Sequence, residues 1–306
     1  MSWLELRIHT HEEHSEVFEN RLLESGALAI TFRDAGDQPI LEPDVGTMPL
    51  WQDIVLVALF KHDINTVPID LNVVSTLNEL GMNDTSAVLW SWHPLEDKVW
   101  EREWLAHQTA TAFGERFWIY HQKVDDELPT LLLDPGLAFG TGSHPTTALC
   151  LDWIAQQNWK DLSVLDYGCG SGILALAALL CGAHSIDCVD TDPQALQATL
   201  QNLQRNNFSK EDINVFFPNS APEKTYSCVL ANILSGPLVQ LAPRLAGALE
   251  EGGLICLSGI LEKQATDIIS AYQPWFNQIN VTQRDDWLRI TGIRNSQNAL
   301  RSEAQI

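Results

Sequence analysis

A glycine-rich turn with acidic neighbours carries the most specific chemistry in this sequence. Asp166, Gly168, Gly170 and Gly172 lie in the run VLDYGCGSGILALAALL, between a short apolar strand and an apolar helix. Glycines let a ligand approach the backbone, and the helix start behind them offers N–H groups and the positive end of a dipole. The next predicted strand ends in Asp190, 22 residues after Gly168, where a carboxylate accepts hydrogen bonds from a ribose diol. The pairing predicts a nucleoside site.

Two cofactors compete for this turn. The nicotinamide fingerprint G-x-G-x-x-G requires glycine at position 173, where this chain has Ile173, and it requires no acid before the first glycine. The form D-x-G-x-G-x-G, with Asp166 as the acid, resembles the first motif of class I methyltransferases. Their S-adenosylmethionine has no pyrophosphate and carries an ammonium that such an acid helps to hold, directly or through water. A turn that serves packing alone is the third interpretation.

A second glycine-rich turn leads into a helix upstream, within LLLDPGLAFGTGSHPTTALCL. Pro145 suits a first helical position, and the hydroxyls of Thr146 and Thr147 lie beside the N–H groups of that helix start. A helix cap explains one hydroxyl but not the four preceding residues, Phe139, Gly140, Thr141 and Gly142. We therefore predict a loop that closes over a cofactor, with His144 capping or orienting it.

Asn232 follows the fourth strand of this region, beside the position where a sulfonium methyl would point. In methyltransferases that act on planar nitrogens, Asn precedes Pro-Pro and an aromatic ring, whereas Ile233, Leu234 and Ser235 follow here. The difference argues against a flat acceptor and favours an aliphatic amine. Such an amine reacts in its neutral form, so its pocket should be apolar; Phe139, Ile233 and Leu234 are the candidates. Asn232 capping its turn is the simpler alternative.

The elements that position these residues alternate regularly. Predicted helices over 171–181, 193–205, 236–248 and 262–272 separate predicted strands over 164–166, 185–190, 213–217, 228–231 and 254–258. A hairpin over 276–282 and 287–293 follows. This order predicts an α/β domain with a Rossmann-like, doubly wound sheet, mostly parallel and closed by an antiparallel hairpin, which is how class I methyltransferase sheets close.

The amino-terminal part has a different order of elements. Strands over 3–9, 27–33, 53–61 and 86–92 and helices over 12–24 and 68–80 form β-α-β-β-α-β, the pattern of a small α+β, ferredoxin-like domain. Charge spacing with Trp100 and Trp104 on one face then predicts a linker helix. We expect residues 1–96 to form a recognition domain, 97–112 the linker helix, 113–294 the methyltransferase domain and 295–306 a frayed tail.

Charge limits the possible partners. The formal net charge is −22 at pH 7, and such a surface repels phosphate backbones and anionic lipid while it attracts basic partners. We expect a lysine-rich protein substrate and no direct contact with nucleic acid or membrane. Acidity that serves only solubility is the alternative.

Cysteine usage and the first residues indicate the compartment. The six cysteines form no C-x-x-C pair and are expected to be buried thiols in a reducing cytosol. The start lacks a basic segment followed by an apolar core, and no apolar run approaches the roughly 18 residues of a membrane span. We predict a soluble, cytoplasmic protein. His9, His11 and His14 lack the H-E-x-x-H spacing, so no metal site is expected.

Four segments together carry a specific resemblance. FGTGSHPTT, VLDYGCGSGILALAAL, VDTDPQAL and VLANILSGPL, in this order and spacing, resemble the methyltransferases of ribosomal protein L11 (PrmA type), over about residues 131–292. The resemblance implies S-adenosyl-L-methionine as cofactor, and the α-amino group and lysine ε-amino groups of that basic protein, free or on the ribosome, as substrates. It implies an amino-terminal domain that recognises the substrate. The positions that match the family's cofactor contacts are Thr147, Gly168, Asp190 and Asn232, with Asn232 also the candidate catalytic residue.

Two other functions stay open at this point. The first is a non-catalytic adaptor that keeps the nucleoside fold and binds partners through its Trp-rich domain. The second is a methyltransferase of another protein or of a small molecule. Asp190, Asn232 and the complete glycine turn argue against an inactive enzyme, although the sequence offers no convincing general base.

Overall fold

The computed structural model describes residues 3–36, 49–81, 90–95, 109–133, 142 and 144–296. The chain forms two compact units, Met1–Trp100 and Glu101–Ile306. Each unit has its own hydrophobic core, one cluster in the first and two in the second.

The first unit has the predicted order of strands and helices. Its described elements are β1 (Trp3–His11), α1 (Ser15–Glu24), β2 (Ala29–Asp34), β3 (Asp53–Lys61), α2 (Thr66–Glu79) and β4 (Trp90–Leu95). The sheet order is β2-β3-β1-β4, with all neighbours antiparallel. Alternate apolar residues of β1 and β3 pack against Phe18 and Leu22 of α1. This is the predicted ferredoxin-like arrangement.

A small sheet that was not predicted from the sequence begins the described part of the second unit. Its strands are β5 (Thr111–Phe113), β6 (Phe117–Tyr120) and β7 (Thr130–Leu132), in the order β5-β6-β7. The predicted linker helix over 97–112 is wrong for residues 109–112, because 109 and 110 form no helix and Thr111 and Ala112 belong to β5. Positions 97–108 lie outside the described residues. The aromatic and β-branched composition of β6 favours a strand, and its alternate residues Phe117 and Ile119 are buried.

The large sheet has the predicted doubly wound form. Its strands are β8 (Ser163–Tyr167), β9 (Ser185–Val189), β10 (Ile213–Phe216), β11 (Tyr226–Asn232), β12 (Leu249–Leu261), β13 (Phe276–Arg284) and β14 (Trp287–Arg294). Their order is β10-β9-β8-β11-β12-β14-β13. All pairs from β10 to β12 are parallel, and β14 is antiparallel to both of its neighbours. The strand order reverses at β8, because β9 and β10 extend to one side of it and β11 and β12 to the other. Ligands bind at such a position in open α/β sheets.

Helices cover both faces of this sheet. They are α3 (Pro145–Gln156), α4 (Ile173–Leu180), α5 (Pro193–Arg205), α6 (Ser235–Gly247) and α7 (Ala265–Tyr272). The first three share one hydrophobic cluster and the last two share the other. Two helices begin later than predicted. Gly172 is left-handed and caps α4, and a 3₁₀ turn over Glu262–Gln264 precedes α7.

The six cysteines are all free, and five are fully buried. Burial is the main reason why the pKa of the Cys228 thiol lies above its usual range. Cys228 is therefore a packing thiol and not a reactive one. In the described part of the chain, no helix has the length and apolarity to cross a bilayer.

Candidate cofactor and acceptor site

The glycine turn leaves β8 and begins α4 in a conformation that favours glycine. The φ angles of Gly168, Gly170 and Gly172 are +80°, +54° and +76°. The backbone N–H groups of Gly168 and Cys169 donate to the carbonyl oxygen of Val189, at 2.7 and 3.2 Å. Left-handed φ values place little strain on glycine and considerable strain on other residues. The turn is thus held against the end of β9, at the carboxyl edge of the sheet.

Asp190 joins the glycine turn to the start of α5. Its Oδ2 accepts from the Gly170 N–H at 2.9 Å, and its Oδ1 accepts from the Asp192 N–H at 3.0 Å. Two of about four lone-pair positions on the carboxylate are thereby used. The predicted pairing of the turn with Asp190 is therefore a direct contact, and the carboxylate retains acceptor capacity for a diol.

Asp166 lies at the base of the same turn and is 1% exposed. Its Oδ2 accepts from the Ala175 N–H at 3.1 Å, whereas Oδ1 has no hydrogen-bond partner among the described residues. Burial raises the pKa of this carboxyl to about 7, against the Ala175 hydrogen bond, which lowers it, and with a smaller contribution from the Asp190 charge. A buried acid with an unsatisfied oxygen is costly in the absence of a cationic partner.

Two buried polar residues of α5 hold the glycine turn from behind. The Thr199 hydroxyl donates to the Gly170 carbonyl at 3.0 Å, and the Asn202 amide donates to the Ser171 carbonyl at 3.0 Å. A Cβ atom at Gly172 would lie 2.8 Å from Cγ2 of Thr199. The turn therefore has a polar second layer, which fixes its backbone without occupying its ligand-facing side.

These contacts of Thr199 and Asn202 with the turn were not predicted from the sequence. A signal was present, because Thr199, Asn202 and Asn206 recur at intervals of three and four residues on the side of α5 that carries the buried Leu196 and Leu203. Asn206, just after the helix, exchanges two hydrogen bonds of 2.7 Å with the backbone of Leu132. Polar residues on the buried side of an amphipathic helix indicate hydrogen bonds to a neighbouring backbone.

His144 caps α3, as predicted. Its Nδ1 accepts from the Thr146 N–H at 3.4 Å and lies 2.8 Å from the Thr146 hydroxyl. Its ring packs edge-on against Trp287, with centroids 5.1 Å apart, and burial lowers its pKa. The cap is thus provided by the ring of His144, which the Thr146 hydroxyl also contacts. The hydroxyl of the buried Thr147 is left for another partner.

That partner is Asn232. The Asn232 amide nitrogen donates to the Thr147 hydroxyl at 3.2 Å, although 85 positions separate them. The residue before α6 is Leu234, not Asn232, and it makes no side-chain cap. The side chain of Leu234 is 55% exposed at this edge.

Gly142 is the described residue of the predicted loop 139–142. Its φ is +82°, and a Cβ atom there would lie 3.3 Å from Ile119 of β6 and 3.4 Å from Ile173 of α4. It therefore packs directly beside the helix that the glycine turn begins. Phe139 and Thr141, the other predicted contacts in this loop, lie outside the described residues.

Comparisons with known proteins agree with this geometry. A family model described as ribosomal protein L11 methyltransferase (PrmA) matches residues 2–295. The chain is 48% identical to the ribosomal protein L11 methyltransferase of Teredinibacter turnerae over 97% of this chain and 98% of that protein. It is 48% identical to that of Saccharophagus degradans over 96% and 100%.

A solved structure shares the fold as well. The crystal structure of ribosomal protein L11 methylase from Lactobacillus delbrueckii subsp. bulgaricus matches with a TM-score of 0.56 and 29% identity, over 62% of this chain and 100% of that one. With a family model that extends over nearly the whole sequence and two relatives of almost equal length, the chain belongs to the ribosomal protein L11 methyltransferase (PrmA) family.

Proposed function

We propose that this protein transfers methyl groups from S-adenosyl-L-methionine to lysine ε-amino groups and the α-amino group of ribosomal protein L11. The observation that supports it best is the Asn232–Thr147 hydrogen bond at the edge of a complete glycine turn. It brings Asn232, the candidate for binding the amine, and Thr147, a candidate for binding the cofactor, to one edge of one sheet. The choice of ribosomal protein L11 as the substrate follows from membership of the family.

The residues present suit this cofactor. Asp190, with acceptor capacity left, would bind the ribose diol. The Gly168–Gly172 backbone would approach the ligand closely, because no side chains intervene. Asp166 would receive the ammonium group, since its buried Oδ1 has no partner among the described residues and an adjacent cation stabilises a buried carboxylate. Thr147, Gly142 and the predicted loop residues Phe139 and Thr141 would complete the site.

The bound cofactor supplies a methyl group on a positively charged sulfur, which an amine lone pair attacks in line. The task of the protein is then to position the amine, because proximity and alignment provide most of the acceleration. Asn232 suits this role. Its amide nitrogen is held by Thr147, which orients the amide oxygen to accept a hydrogen bond from the amine N–H. No separate general base is assigned.

The amine must lose its proton before it reacts. A lysine with a pKa of about 10.4 needs roughly 4.6 kcal/mol to become neutral at pH 7, at about 1.36 kcal/mol per pH unit. Apolar surroundings reduce that cost by disfavouring the ammonium. Ile233 and Leu234, which follow Asn232, are candidates for such surroundings on one side, and Phe139 is the further candidate.

Substrate recognition is assigned to the first unit. Residues 1–96 would bind ribosomal protein L11, residues 97–112 would connect the two domains, and 113–294 would perform the transfer, with 295–306 as a tail. The net charge of −22 supports a basic partner, because it raises the encounter rate with cations. We assign the activity to the cytoplasm, on L11 that is free or part of the ribosome, without direct contact with nucleic acid.

One assay separates this function from its alternatives. Purified protein is incubated with methyl-labelled S-adenosylmethionine and purified ribosomal protein L11, and modified residues are mapped by mass spectrometry. Label on lysine side chains and on the amino terminus is expected. Cofactor binding without label on any protein of a cell extract would favour the adaptor. Label that appears only on other proteins or on small molecules would favour the third hypothesis.

A further inference from the structure

Ile233 lies between two left-handed glycines that come from different parts of the sheet. A Cβ atom at Gly168, in the cofactor turn, would lie 2.2 Å from Cγ2 of Ile233. A Cβ atom at Gly259, near the end of β12, would lie 2.2 Å from the carbonyl oxygen of Ile233. The side chain of Ile233 therefore occupies the space above one glycine, and its backbone occupies the space above the other.

The second contact depends on an irregularity in β12. The register of β12 against β14 shifts between Leu257 and Ile260, and the buried Ser258 hydroxyl donates to the Leu288 carbonyl at 2.9 Å. Ser258 is also the residue that pairs with Asn232 in β11. The bulge thus brings Gly259, with φ of +82°, against the backbone of Ile233, the residue that follows Asn232. Bulges of this kind redirect side chains and recur next to active sites.

We propose that Ile233 is a positioning residue that sets the Asn232 amide relative to the cofactor turn. Its Cγ2 methyl rests on Gly168 and its peptide rests on Gly259, so residue 232 has a fixed distance from the turn. The inference rests on the proposed transfer reaction, in which the amine bound by Asn232 must align with a methyl group held by the turn. In-line transfer is sensitive to displacements of about 1 Å, so a loose contact at Ile233 lowers turnover.

Branching at Cβ makes isoleucine suitable for this contact. Isoleucine and valine both carry Cγ2, and their χ1 angles are restricted. Leucine has the volume of isoleucine but carries no Cγ2. Ile233→Val should therefore preserve the contact with Gly168, and Ile233→Leu should remove it with no loss of side-chain volume.

Kinetics of these two variants on ribosomal protein L11 test the proposal. For Ile233→Leu we expect kcat to fall at least tenfold, while the calorimetric Kd for S-adenosylmethionine and the KM for L11 each change less than threefold. Ile233→Val should keep kcat within threefold of the wild type, although it removes a methyl group from the core. A fall in kcat that is equal in both variants, or that follows the loss of Tm, would show that Ile233 only contributes packing.

A double-mutant cycle at positions 168 and 233 tests the contact between Gly168 and Ile233 by cofactor binding, with no methyl-accepting substrate present. Gly168→Ala should weaken cofactor binding, because its methyl group would overlap Cγ2 of Ile233, and the added change Ile233→Ala should restore at least fivefold of the affinity. Gly172→Ala is the matched control. Its φ is also positive, but its Cβ would contact Thr199, so Ile233→Ala should give no recovery. Additive losses in the first pair would overturn the proposed contact.

The two experiments separate failure of the proposal from failure of the assigned function. If the wild-type protein binds S-adenosylmethionine but leaves L11 unmodified, the proposed function fails, while the cycle still measures the contact of Ile233 with the turn. If L11 is methylated and Ile233→Leu behaves like Ile233→Val, the function stands and the positioning role is refuted.

Discussion

The amide nitrogen of Asn232 donates a hydrogen bond to the hydroxyl of Thr147 at 3.2 Å. This contact joins the carboxyl end of β11 to the first turn of α3. Both groups are polar and partly or fully withdrawn from water, so the bond restrains the amide strongly. It gives the Asn232 amide, the group proposed to bind the amine, a defined orientation.

Removal of this bond should affect turnover more than cofactor binding. Thr147→Val keeps the shape of the side chain and deletes the hydroxyl, so the Asn232 amide loses its anchor. We expect kcat to fall about tenfold to a hundredfold, which corresponds to roughly 1.4 to 2.7 kcal/mol. Steady-state kinetics on L11 with saturating cofactor measures this. Thr147→Ser, which retains the hydroxyl, is the control, and an equal loss in both variants would contradict the prediction.

Asp190 should contribute directly to cofactor affinity. Asp190→Ala removes a charge-assisted acceptor and also releases the Gly170 N–H, so binding of S-adenosylmethionine should weaken by about 1 to 3 kcal/mol. Isothermal calorimetry gives the value. Asp192→Ala is a suitable control, because Asp192 caps α5 at Gln194; it should reduce stability by about 1 kcal/mol and leave affinity nearly unchanged. Equal affinities for the two variants would remove Asp190 from the site.

Asp166 should make the stability of the cofactor-free protein depend on pH. Burial raises its pKa to about 7, above the ordinary aspartate pKa of about 3.9, so the folded protein holds a proton that the unfolded chain releases. The stability contributed by that proton is fully present below about pH 4 and is lost as pH rises through 7. Asp166→Asn removes the titration, and its gain in Tm over the wild type should be several degrees larger at pH 8.5 than at pH 5.5.

The same substitution should weaken cofactor binding. In the wild type, affinity should rise as pH increases through 7, because the ionised Asp166 is the form that stabilises an ammonium. In Asp166→Asn the affinity should be lower and nearly independent of pH in this range. Calorimetry at pH 6 and pH 8 measures both slopes. Parallel slopes for the two proteins would mean that Asp166 does not titrate with the cofactor.

The two units should have separate functions, with recognition of L11 in the first and cofactor binding in the second. A chain that lacks residues 1–95 retains the unit with two hydrophobic clusters, together with Thr147, Asp190 and Asn232. It should bind S-adenosylmethionine with unchanged affinity, whereas kcat/KM on intact L11 should fall by at least a hundredfold, since a tethered recognition domain provides a high effective concentration. A short peptide with the same lysine is the control and should lose little. Undiminished activity on L11 would place recognition in the second unit.

Local sequence was sufficient to predict much of the secondary structure. The helix Pro193–Arg205 and the strand Asp53–Lys61 have the predicted bounds, because a cap, a proline and apolar periodicity all act within a few residues. The hairpin after β13 was also predicted, and its left-handed Asp285 fits the turn. The small sheet of β5 to β7 escaped prediction, because strands of three or four residues carry little periodicity and gain their stability from pairing with each other.

For the site, the sequence alone predicts the glycine turn, Asp190 and Asn232, because their chemistry follows from residue type and from spacing along the chain. Tertiary structure decided the contacts that hold them. Thr147 joins Asn232 across 85 positions, Thr199 and Asn202 hold the turn from a neighbouring helix, and Gly259 receives the peptide of Ile233. The raised pKa of Asp166 likewise comes from burial, a property of the packed chain. Distances between residues remote in sequence, and the exclusion of water around them, exist only after the sheet and its helices have assembled.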